Sequence, residues 1–165
     1  MLYLYQNSSN KCNCQLKLSL QLAPASSSRK YLYLIKHILP KNYAMHTNIY
    51  GEKLIPCSTK PMTGYYRNGC CETDDDDTGV HSVCVIVTKE FLEYSYIIGN
   101  DLITPMPEWN FPGLVPGDSW CLCASRWLEA WQAGVAPQVV LEATNEKTLD
   151  LIPLDELVKF AYTSE

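Results

Sequence analysis

The chain has 165 residues, of which 47% are hydrophobic and 19% charged, a globular composition that excludes disordered, collagen-like and coiled-coil classes and is long enough for a core of its own. Its formal charge of −5 is uneven: residues 1–51 hold six bases and no acid, and residues 52–165 hold seven bases against 18 acids, a net −11. A body of that charge repels phosphate backbones, and no apolar run approaches the ~20 residues that cross a bilayer, so neither a nucleic acid nor a membrane is expected as a partner.

Residues 1–44 are acid-free, Ser-rich around Ala25 to Ser28, and without a sustained helical or strand period. They read as a transit-like extension or as the product of a start set too early, with Met45 the true first residue. Few Arg and many Tyr favour the early start. Either way residues 1–44 are expected outside the core and poorly ordered, with Cys12 and Cys14 outside any site. Residues 45–165 are expected to form a single cysteine-rich domain.

Residues 48–81 are rich in turn formers, including Gly51, Pro56, Pro61, Gly64, Asn68-Gly69 and Gly79. Tyr65 and Tyr66 fit a short strand before the Asn68-Gly69 turn. Four adjacent carboxylates, Asp74 to Asp77, are expected to be solvated, and they lack the spacing of a calcium loop. Val83 to Val87 reads as a strand buried on both faces. Thr88 is a predicted N-cap for a helix from Lys89 to Ile98, with Gly99 as terminator and Phe91, Leu92, Ser95 and Ile98 inward. Residues 104–118, with four Pro and two Gly, form a long irregular loop in which Asp118 makes a turn.

Trp120 to Cys123 is a predicted short strand. Ser125 caps a helix from Arg126 to Ala133, with Trp127, Ala130 and Trp131 on its core face. Gln138 to Ala143 is a strand, with Thr148 to Ile152 pairing back. Pro153 opens a last helix with Leu154, Leu157, Val158 and Ala161 on one stripe. The fold class is α+β: a short mixed or antiparallel sheet, about three helices and long Pro/Gly-rich loops.

Several stretches carry a resemblance: Gly51 to Ser58, Thr63 to Cys71, His81 to Cys84, Gly99 to Pro105, Phe111 to Leu114, Pro116 to Trp127 and Gly134 to Thr144. Over residues 48–162 the chain resembles the bacterial domain of unknown function 2237. The resemblance implies a small single domain beginning near Met45. It brings no assigned activity and no catalytic residue.

Six of the eight Cys lie inside the domain: Cys57, Cys70, Cys71, Cys84, Cys121 and Cys123. With no signal-peptide pattern, a reducing, cytoplasmic setting is expected, with organellar import open if residues 1–44 are genuine. The thiols are then expected to be free, metal-bound or reactive rather than bridged. Strand periodicity puts Cys121 and Cys123 on one face. Cys123 also precedes a helix start, where the helix dipole and Arg126 favour thiolate, which makes it the leading candidate for a reactive thiol. The competing reading makes both small core residues. The adjacent Cys70 and Cys71 are expected to diverge, one inward and one outward. A zinc site assembled from Cys57, Cys70, Cys71, Cys121 and Cys123 is a further candidate, although no C-x-x-C pair marks it, and a disulfide between two segments is an equal alternative. His81 reads either as a structural residue at the mouth of the buried strand or as the base for a nearby thiol.

Two functions follow. The first is a binding or assembly module for a protein or small-molecule partner, with structural cysteines or a structural metal and no other cofactor. The alternative is a thiol-dependent redox or thiol-transfer protein with Cys123 as nucleophile, Cys121 or Cys70/Cys71 as resolving partner, and His81 and Arg126 as tuning groups.

Overall fold

A computed structural model describes residues 46–163; the proposed extension 1–44 lies outside the described residues. The centre is a three-stranded antiparallel sheet in the order β2-β1-β3. Its strands are β1 (Val83–Ile86), β2 (Ser119–Leu122) and β3 (Gln138–Val139). With helices α1 (Lys89–Ile97), α2 (Ala124–Gln132) and α3 (Leu154–Lys159), this is the α+β class the sequence implies. No described helix is long and apolar enough to cross a membrane.

Strand β1 is central because its side chains suit both faces. Val83, Cys84 and Val85 are fully buried, as a continuous β-branched run predicts. Its register sets Cys84 opposite Cys121 and Val85 opposite Trp120. Thr88 caps α1 by accepting the Phe91 N–H at 3.1 Å, and Phe91, Leu92 and Ser95 face the core. Helix α1 ends in a Schellman motif: Gly99 at φ +84° lets the Asn100 N–H reach the Ser95 carbonyl and its own N–H reach Tyr96. Ile98 is therefore the C-cap and is partly exposed, not part of the inner face.

Helix α2 begins two residues earlier than its sequence suggests, with Cys123 rather than Ser125 as N-cap. The cause is tertiary: the Ala124 N–H donates to the Val80 carbonyl at 3.0 Å, which fixes the first turn. Trp127 and Ala130 are fully buried, while Trp131 is partly exposed. The Trp127 indole donates to the Pro137 carbonyl and meets Phe160 edge-on.

The expected hairpin after β3 does not form. The Val140 N–H still reaches Cys84, but the chain then turns into 3-10 helices at Leu141–Ala143 and Glu146–Asp150. Asn145 caps the second, and the Thr148 hydroxyl is buried on Ser82. Side-chain capping of this kind competes with strand pairing. In α3 Leu157 is buried, whereas Leu154 and Val158 are exposed, so the expected four-residue stripe is only partly used. Tyr65 and Tyr66 lie in an exposed turn rather than a strand. The long loop is held by a bridge between Met106 and Phe111, and Asp118 accepts the Val115 N–H as its turn requires.

Candidate functional site

The cysteines sort into two environments. Cys57 is bonded to Cys84, and Cys71 to Cys121. The expectation of free rather than bridged thiols is therefore corrected at these four positions. Composition could not show the reason: antiparallel pairing sets Cys84 against Cys121, and the turn-rich segment returns Cys57 and Cys71 to the same place. The segment is anchored by Thr63, whose hydroxyl accepts the Cys121 N–H at 2.8 Å. Cys70 and Cys71 do not divide into inward and outward positions, since both are fully buried. The Cys121 sulfur is engaged by Cys71 and so is not a thiol available to Cys123.

Cys123 is different. Among the described residues it is the free thiol, and it is partly exposed. As the N-cap of α2 it lies beside the first N–H groups of the helix. Its side chain makes no capping hydrogen bond. Helix geometry leaves the N–H groups of Ser125 and Arg126 without intrahelical acceptors.

The loop before β1 brings His81 to this sulfur. Val80 sits at φ +50°, a costly conformation for a β-branched residue, and its carbonyl takes the Ala124 N–H. That bond clamps the loop to the start of α2. Gly79 completes the fit. A Cβ there would stand 2.6 Å from His81 Cε1 and 3.2 Å from Cys123 Sγ, so any larger residue would meet both groups.

Asp77 orients the imidazole. Its Oδ1 lies 2.7 Å from His81 Nδ1, its Oδ2 accepts the His81 backbone N–H at 2.7 Å, and the Thr73 hydroxyl donates to it at 2.9 Å. The residue is 2% exposed, which corrects the expectation that the whole acidic run is solvated. Burial raises its pKa, but the His81 N–H, the imidazole and Thr73 outweigh this and hold the carboxyl below the usual range. Tyr65 stacks on the imidazole with ring centroids 5.9 Å apart.

His81 itself is pushed up to about 9, first by interaction with the Cys123 sulfur and then by Asp77, against the opposing effect of burial. The imidazole's aligned hydrogen bond is the one to Asp77; thiol contacts of this kind often tighten only when substrate binds. Arg126, the other candidate tuning group, pairs with Glu129 at 2.8 Å.

A model of the family described as "Uncharacterized protein conserved in bacteria (DUF2237)" matches residues 47–161. The chain belongs to this family. No curated protein matches it. In this DUF2237 domain Asp77, His81 and Cys123 come from two separated stretches, a loop and a helix start. Sequence reasoning singled out Cys123 and His81 as candidates and did not single out Asp77. The available signal was its four-residue separation from His81 across Gly79, which the neighbouring carboxylates obscured.

The raised His81 pKa has a stability consequence. The folded value, about 9, exceeds the ordinary 6.5, so the imidazolium's contribution is complete below about pH 6.5 and is lost as pH rises through about 9. Urea midpoints should therefore fall between about pH 6.5 and 9.5, and His81→Gln should remove most of that fall. An equal fall in the variant would assign it to other groups.

Proposed function

We propose that this domain is a cysteine-nucleophile protein that transfers acyl groups through Cys123. The observation that supports this reading is the Asp77–His81–Cys123 arrangement at the start of α2. Thiol, base and a buried carboxylate that fixes the base are the elements of an activated nucleophile.

In the proposed reaction the Cys123 sulfur bonds to the carbonyl carbon of an activated acyl group. The proton held on His81 passes to the leaving group as its bond to the carbonyl carbon breaks. Water then cleaves the thioester, giving a proton to His81 and releasing the acid. The Ser125 and Arg126 N–H groups would face the developing oxyanion. Asp77 keeps Nδ1 occupied so that the other ring nitrogen serves the sulfur.

Acyl transfer is favoured over dithiol redox chemistry because Cys121 and Cys71 are bonded to each other. The structural role considered for the cysteines is assigned here to the two bridged pairs, and the chemical role to the free thiol.

The test is intact-mass analysis after exposure to p-nitrophenyl acetate. The proposal predicts an acetyl adduct on Cys123, formed at least about a hundredfold faster than on a model thiol, and absent in Cys123→Ser. Acetylation no faster than that of the model thiol would overturn it.

A further inference from the structure

Apart from that site, the structure holds a second concentration of sulfur. The Sγ atoms of Cys57, Cys71 and Cys121 all lie within 4.8 Å of one another. Cys84 Sγ is bonded to that of Cys57, so a fourth sulfur adjoins the same group. The four are contributed by two loop segments and two paired strands. They form a small buried cluster with Ala143 and Val140. Neither Cys70 nor Cys123 belongs to the three-sulfur group.

We infer that on reduction these four sulfurs become a tetrathiolate site for a soft divalent cation, with zinc the best fit. Four thiolates around tetrahedral zinc, at Zn–S distances of about 2.3 Å, place their sulfurs about 3.8 Å apart, a spacing within the 4.8 Å that spans Cys57, Cys71 and Cys121, while Cys84 adjoins them through its bond to Cys57. Three of the donors arrive pre-assembled, with Cys84 beside them, on a fold that other contacts also support. Cys84 and Cys121 are fixed by strand register, and their N–H groups are held by the Thr144 and Thr63 hydroxyls.

The conversion balances with an external dithiol or phosphine as reductant. Each disulfide accepts two electrons and two protons, and the S–S bond breaks to give two thiols. A dithiol leaves as its own disulfide; a phosphine leaves as its oxide, with water supplying the oxygen and the two protons. Binding of the cation then forms four metal–sulfur bonds and releases four protons to solvent. The same four residues thus link the loop to the sheet in either redox state, by two covalent bonds or by one ion.

The experiment uses the full chain, reduced anaerobically with a phosphine and titrated with Co2+ as probe. The expected result is about one Co2+ per chain, with the absorption of tetrahedral thiolate coordination, displaced by Zn2+ because zinc binds such sites more tightly. Cys84→Ser should weaken binding by at least about tenfold, while Cys123→Ser should leave it unchanged. Circular dichroism follows the fold in parallel. If the reduced chain loses structure, Zn2+ should restore it. Failure to bind Co2+, failure of Zn2+ to restore lost structure, or dependence on Cys123 rather than Cys84 would each overturn the inference. Acylation at Cys123 in the oxidised chain is read separately and is untouched by any of these results.

Discussion

Asp77→Ala should slow Cys123 acylation by about a hundredfold and destabilise the fold by about 3 kcal/mol. The first figure is the low end of what a positioned base contributes. The second follows from three hydrogen bonds to one buried carboxylate, two from His81 and one from Thr73, each worth about 1.5–3 kcal/mol before relaxation. Asp77→Asn preserves size and some hydrogen bonding but not the charge. It should retain more stability than the Ala variant and still shift the pH profile of acylation to lower pH, since Asp77 is one of the groups that raise His81. A purely structural Asp77 would change stability and leave that profile in place. Urea unfolding and stopped-flow acylation from about pH 5 to 10 distinguish the two.

The other large effect concerns the bridged pairs. The Cys71→Ala, Cys121→Ala double variant should lose about 4 kcal/mol relative to the oxidised protein, from the entropy released to a chain no longer closed across a separation of 50 residues. Removing Cys57–Cys84, which closes a separation of 27, should cost slightly less. Both are measured by urea unfolding without reductant. A loss below about 1 kcal/mol for either pair would show that the turn-rich segment holds its place without that pair. Cys123 acylation should survive in whatever fraction stays folded, because neither pair includes Cys123 or His81.

The sequence conveyed the elements whose signals are local. Thr88 and Gly99 bracket α1 as written, and Val83 to Val85 are buried on both faces as a β-branched run requires. It misplaced what depends on distant partners. The start of α2 is set by the Val80 carbonyl, 44 residues before Ala124, so Cys123 rather than Ser125 becomes the cap. The hairpin expected after β3 gave way to 3-10 turns because Asn145 and Thr148 satisfy the backbone and Ser82 through their side chains. The candidate site was half legible. Cys123 stood out by its position before a helix, and His81 by its chemistry. Asp77 was hidden in a run of four carboxylates, three of them exposed as charge repulsion predicts, while the fourth is buried by a turn that the pattern does not reveal. The disulfide pairing was not readable, since it depends on which loops return to Cys84 and Cys121.

The most direct test of the coupling between Cys123 and His81 is an NMR titration of the His81 imidazole in the wild-type chain and in Cys123→Ser. If the two groups act as one pair, His81 titrates near about 9 in the wild type, and the value falls clearly towards the ordinary 6.5 when the sulfur is removed, with Asp77 retaining part of the shift. An unchanged titration in Cys123→Ser would mean that the sulfur and the imidazole do not interact, and the account of Cys123 as an activated nucleophile would be wrong.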